Sequence, residues 1–85
     1  SALARWLELA ASRDLPQPDA QPFVDGEAHI HLIWRAHYVA AVFDPSMAAT
    51  RKLEDKGFEV LVFGGEEAEW PDSFARLAKA LGRSS

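Results

Sequence analysis

The chain has 85 residues, a mass of 9.4 kDa, 48% apolar and 26% charged residues, and a formal net charge of −4. Area scaling lets a chain this short bury about 63% of its unfolded surface, which allows one domain with one modest core and excludes two lobes around a cleft. The composition excludes a disordered chain, the lack of any apolar run near ~20 residues excludes a membrane span, the acidic balance argues against nucleic-acid binding by bulk charge, and the absence of cysteine excludes disulfides, a thiolate nucleophile and a cysteine–zinc site.

Residues 2–13 read as a first helix: Leu3, Trp6, Leu7 and Ala10 recur at the i, i+3, i+4, i+7 spacing, with Arg5, Glu8 and Ser12 on the other side. Residues 14–22, DLPQPDAQP, hold three prolines and form an irregular connector. Residues 23–63 carry the sheet and a crossover helix. Phe23–Asp25 reads as a short strand, and Ala28–Trp34 and His37–Phe43 as two longer ones joined by Arg35 and Ala36. A two-residue turn, or any even-length loop between them, pairs Trp34 with His37 and fixes the faces. One face then carries Ile30, Leu32, Trp34, Val39, Ala41 and Phe43. The other carries His29, His31, Ile33, Tyr38, Ala40, Val42 and Asp44, and is either half covered or a site.

Asp44 and Pro45 suit a helix start, and Gly57 suits its end. Phe58–Phe63 is a nearly continuous apolar run, as in an interior parallel strand. Gly64 and Gly65 break it, and residues 70–82 form a last helix with Trp70, Phe74, Leu77, Ala78 and Leu81 as its buried stripe. The order α-β-β-β-α-β-α predicts an α/β domain over residues 1–85, a mixed sheet flanked by helices in two or three layers. Ile30, Leu32, Val39, Phe43, Val60, Val62, Phe74 and Leu77 are its expected core.

Several side chains invite a chemical reading. His29 and His31 lie two apart on one strand and share its face with Asp44, with Glu27 beside it; two imidazoles and a carboxylate make a metal triad, or else are half-exposed strand residues. Asp44 is a remnant active-site acid or simply a helix cap, the latter role being worth ~1 kcal/mol. Arg51, Lys52 and Lys56 are a phosphate-contacting edge or a solvated helix face, and Arg35 and His37 at the hairpin tip could extend them into a small basic patch. Trp6, Trp34 and Trp70 fall on core faces or at the start of a helix, which makes them structural anchors rather than base-stacking platforms. Glu66, Glu67, Glu69 and Asp72 are an acidic run at a helix start, or a docking surface for a basic partner. No nucleophile elbow, phosphate-cradling loop or GxGxxG is present.

The segments HLIW (His31–Trp34), YVAAVFDP (Tyr38–Pro45) and KLEDKGFEVLVF (Lys52–Phe63) resemble the core of the restriction-endonuclease-like fold, the PD-(D/E)xK superfamily, in its branch related to very-short-patch repair endonucleases. The resemblance covers about half the chain. It places His31 where the metal-binding acid of the second strand would stand and Val42 where the second acid would stand, and leaves Asp44 followed by Pro45 in place of glycine. A hard divalent cation needs carboxylate ligands, which valine cannot replace and imidazole replaces poorly for magnesium. Leu15-Pro16-Gln17-Pro18, Trp34, Val39–Phe43 and Leu53–Val60 are also similar to the nuclease-like domains appended to large bacterial DEAD/DEAH-box helicases.

The expectation is therefore a degenerate nuclease: a non-catalytic accessory domain of a larger DNA-processing protein, in particular an ATP-dependent helicase, making nucleic-acid or interdomain contacts and needing no cofactor. A start at Ser1 fits a piece of a longer chain, and the lack of cysteine and of a signal segment fits the cytoplasm. The alternatives are a metal-dependent nuclease using His29, His31, Asp44 and Glu27 with a softer divalent metal, and a protein-interaction module using the acidic surface.

Overall fold

A computed structural model of the chain describes residues 2–26, 28–43 and 47–82. Its elements are α1 (Ala2–Ser12), β1 (Phe23–Asp25), β2 (Ala28–Ile30), β3 (Leu32–Trp34), a 3-10 turn (Arg35–His37), β4 (Val39–Val42), α2 (Met47–Asp55), β5 (Glu59–Val62), a second 3-10 turn (Glu67–Glu69) and α3 (Trp70–Ala80). The fold is mixed α/β. β1 and β2 form an antiparallel pair, while β3, β4 and β5 form a mixed sheet in that order, with β3–β4 antiparallel and β4–β5 parallel. A parallel pair needs a crossover, and α2 supplies it.

Helices cover the mixed sheet on both sides. Trp6 and Ala10 of α1, with Trp70, Phe74 and Leu77 of α3, pack on the face made by Leu32, Trp34, Val39, Ala41, Leu61 and Phe63. Ala49 and Leu53 of α2 pack on the face made by Ile33, Ala40 and Val42, joined by Ile30. The face that the sequence leaves as mixed is thus a second apolar layer. All four residues of β4 are buried, because β4 is central and covered on both sides.

Four expectations need correction. The predicted strand Ala28–Trp34 is two strands: β2 pairs with β1 and β3 with β4, with His31 in neither. That break resets the alternation, so Ile30 joins Ile33 and Leu53 rather than Leu32 and Trp34. Trp34 pairs with Val39, not His37, across a four-residue connection. The shift is by two residues, so every side chain of β3 and β4 keeps its predicted face. The connection is longer because the 3-10 turn ends at Tyr38 in the left-handed conformation (φ 56°, ψ 47°), its N–H donating to the Arg35 carbonyl at 3.2 Å. Finally, β5 is an edge strand rather than an interior one. Val62 is therefore 48% exposed and Val60 only half-buried, while Leu61 and Phe63 carry the burial expected of Val60 and Val62. Phe43 is half-buried against Trp70. Ile30, Leu32, Val39, Phe74 and Leu77 are core, as the pattern predicts.

The three tryptophans are buried anchors. Trp34 Nε1 donates to the Pro16 carbonyl at 2.9 Å, and Asp19 N–H donates to the Ile33 carbonyl at 2.8 Å, so the proline-rich connector runs along the outer edge of β3. Trp70 Nε1 donates to the Gly64 carbonyl at 2.8 Å and closes the loop before α3. Gly57 ends α2 at φ +91°, with its N–H donated to the Glu54 carbonyl. Gly57→Ala should therefore destabilise the domain by about 1 kcal/mol, read as a lower urea midpoint at unchanged slope.

Candidate functional site

Because β4 and β5 are parallel, their amino ends lie side by side: Val39 is the partner of Glu59. The residues leading into the two strands are consequently neighbours, although about twenty positions separate them in the chain. Tyr38 and Phe58 pack together with ring centroids 5.2 Å apart and planes tilted by 56°. Around this pair lies an open pocket of about 330 Å³, lined by Phe23, Ile33, Arg35, Tyr38, Leu53, Lys56 and Phe58. Ile33 and Leu53 are fully buried, Phe23 and Phe58 are half-buried, and Tyr38 is 57% exposed.

Arg35 is held rigidly at this pocket. Its Nη1 donates to Asp19 Oδ2 at 3.1 Å and to the Gln21 carbonyl at 2.7 Å, its Nη2 donates to the Pro22 carbonyl at 3.3 Å, and its backbone N–H donates to the same Asp19 oxygen. The connector thereby orients a guanidinium whose charge Asp19 offsets only in part, both groups being substantially exposed. Lys56 is exposed and forms no ion pair among the described residues. Among the described residues the lining holds no carboxylate and no imidazole. Aromatic faces beside two cations suit a planar anionic ligand, a base with its phosphate, by stacking and charge attraction.

The chain matches no protein-family model, no curated protein and no solved structure.

The remaining sequence candidates scatter. His37 is exposed in the turn that bears Arg35. Arg51 is exposed on α2 outside the pocket lining, and Lys52 is engaged elsewhere, its Nζ 2.6 Å from Asp25 Oδ1. His29 and His31 are both exposed with rings 6.3 Å apart and nearly parallel. Asp44 and Glu27 lie outside the described residues. Among the described residues no three histidine, aspartate or glutamate side chains gather as metal ligands would. Val42 is 8% exposed inside the α2-side core, so the position where the resemblance expects an acid is packed among Ile33, Ala40 and Leu53. Glu66, Glu67, Glu69 and Asp72 are all exposed; Glu67 accepts from Arg5 Nε at 2.9 Å, and that hydrogen bond, with the attraction behind it, raises the Arg5 pKa further. No described helix is long and apolar enough to cross a membrane.

Phe23, Tyr38 and Phe58 escape the sequence reading as site residues. The available signal is the interleaving of Arg35 and His37 with Tyr38, and of Lys56 with Phe58, at the starts of two strands that a crossover makes neighbours.

Proposed function

We propose that this chain is a non-catalytic accessory domain of a larger DNA-processing protein that holds an unpaired base of single-stranded nucleic acid in the Arg35–Tyr38–Lys56–Phe58 pocket. The observation that carries the reading is the tilted Tyr38–Phe58 pair beside Arg35 and Lys56 in an open pocket with no carboxylate among its described lining residues. Single-strand binders combine such stacking faces with local positive charge, and stacking is worth ~1–3 kcal/mol per base. With a net charge of −4 the attraction is confined to the pocket, so affinity is modest and strongly salt-dependent.

The nuclease-like ancestry rests on the resemblance of residues 31–63 to the restriction-endonuclease-like core, and the parallel β4–α2–β5 unit is compatible with it. Placement in a helicase rests on the similarity of residues 15–18, 34, 39–43 and 53–60. The non-catalytic reading is supported by Val42, which supplies no ligand oxygen and packs in a buried apolar cluster.

Binding of a fluorescein-labelled dodecathymidylate, followed by anisotropy at low salt, tests the proposal. Lys56→Glu should weaken binding by about tenfold, the order of one lost cationic contact and its replacement by a repulsive one. A duplex of equal length should bind less well, because its bases are not free to stack. Magnesium-dependent cleavage by the isolated chain, or affinity indifferent to Lys56→Glu, would sink the reading.

A further inference from the structure

The outer edge of β5 is an open hydrogen-bonding surface. Glu59 N–H donates to the Tyr38 carbonyl at 2.8 Å and Phe63 N–H to the Val42 carbonyl at 2.7 Å. In a parallel ladder alternate residues bond to one neighbour, so Val60 and Val62 turn their N–H and C=O groups away from β4. The opposite edge of the sheet is covered by the Asp19–Ile33 hydrogen bond, but among the described residues no strand lies beside β5 on the side away from β4. No proline, lysine or bulge interrupts it, and its one charged residue, Glu59, stands at its start. Ser73 Oγ reaches only the Val62 carbonyl, at 3.4 Å. Between this edge and α3 lies a groove of about 260 Å³ lined by Val60, Leu61, Val62, Ser73 and Arg76. Arg76 is exposed and forms no ion pair among the described residues.

We infer that this groove docks an extended peptide carrying an acidic side chain, which adds a fourth strand to the sheet beside β5 and sets its carboxylate against Arg76. Main-chain hydrogen bonds to Val60 and Val62 supply affinity, and the guanidinium supplies selectivity for a carboxylate at one position. A second copy of the chain fits less well. Symmetric pairing of two β5 edges centres on Leu61 and sets two like-charged Arg76 guanidiniums along one groove. The inference does not depend on the reading of the Tyr38–Phe58 pocket.

The test is an amide NMR titration of the chain with two acetylated, amidated heptapeptides, Ser-Thr-Val-Glu-Val-Thr-Ser and its counterpart with lysine for glutamate. The glutamate peptide should shift the amides of Val60, Leu61, Val62, Ser73 and Arg76, slow hydrogen exchange at Val60 and Val62, and bind about tenfold more tightly than the lysine peptide. Arg76→Glu should reverse that preference. Shifts absent from Val60 and Val62 at millimolar peptide, equal affinities for the two peptides, or concentration-dependent self-association through these amides would each overturn the proposal. The comparison of the two peptides on the unaltered chain needs no variant to fold.

Discussion

Phe63→Ala is expected to cost about 3–5 kcal/mol, the range for deleting a buried aromatic ring from a core that cannot collapse around the gap. Phe63 is fully buried at the end of β5, where it meets Trp6 edge-on at 5.6 Å, Phe74 at 4.9 Å and Trp70 at 6.0 Å. These rings come from α1, the sheet and α3, so one deletion loosens every element on that side. Domains of this size hold roughly 4–13 kcal/mol in total, so the loss removes a large share of it. Urea denaturation followed by tryptophan fluorescence reads the effect directly, since Trp6 and Trp70 border the cavity. Phe58→Ala, at a half-buried position on the pocket side, should cost markedly less. A change at Phe63 below about 1 kcal/mol would mean that the aromatic cluster is not what joins the helices to the sheet.

Tyr38→Gly separates binding from stability. Tyr38 holds a left-handed backbone conformation, which glycine adopts without the penalty of roughly 1 kcal/mol that a side chain imposes. The substitution also deletes the ring packed against Phe58. That ring is mostly exposed, so the loss of its contact and the relief of strain should nearly cancel, leaving the domain within about 1 kcal/mol of its original stability. Oligonucleotide affinity should nonetheless fall about tenfold or more, since a base loses half of its stacking surface. A bulky residue in this conformation at a pocket wall is the pattern expected where backbone strain serves a site rather than the fold. Equal melting curves with unequal binding support that assignment. Unchanged binding places the ligand elsewhere, and a collapse of stability makes Tyr38 a structural residue.

The helices were legible from local signals. Trp6 and Ala10 on α1 and Trp70, Phe74 and Leu77 on α3 are buried where the helical period puts them, although Leu7 on the same stripe of α1 is exposed, and Gly57 takes the positive φ expected at a helix end. The strand pattern named β3 and β4 and their faces correctly even though the register was off by two, because side chains alternate with a period of two. It did not reveal the break at His31. An alternating run looks the same whether it is one strand or two with different partners, and β2 leaves the run to pair with β1. The apolar run at Phe58–Phe63 likewise suits an interior strand or an edge strand beside a helix. Val62 is exposed on an edge strand, and among the described residues no strand lies beyond β5, which its own residues do not record.

The candidate pocket was half legible. Arg35, His37 and Lys56 stand out as cations near strand ends, but nothing local tells which of them meet. Lys52 and Lys56 lie four apart on the chain, yet Lys52 is taken up by Asp25 and Lys56 borders the pocket. Residue type, period and capping are properties of a short stretch of chain, so the amino acids alone determined the helices, the apolar faces, the acidic charge and the lack of thiol chemistry. Which strand lies beside which, where a 3-10 turn lets Tyr38 reach Phe58, and which edge stays open are outcomes of contacts between distant segments. Only the tertiary packing decided them, because the free energy that selects a partner strand is gained across the whole buried layer and not within any one strand.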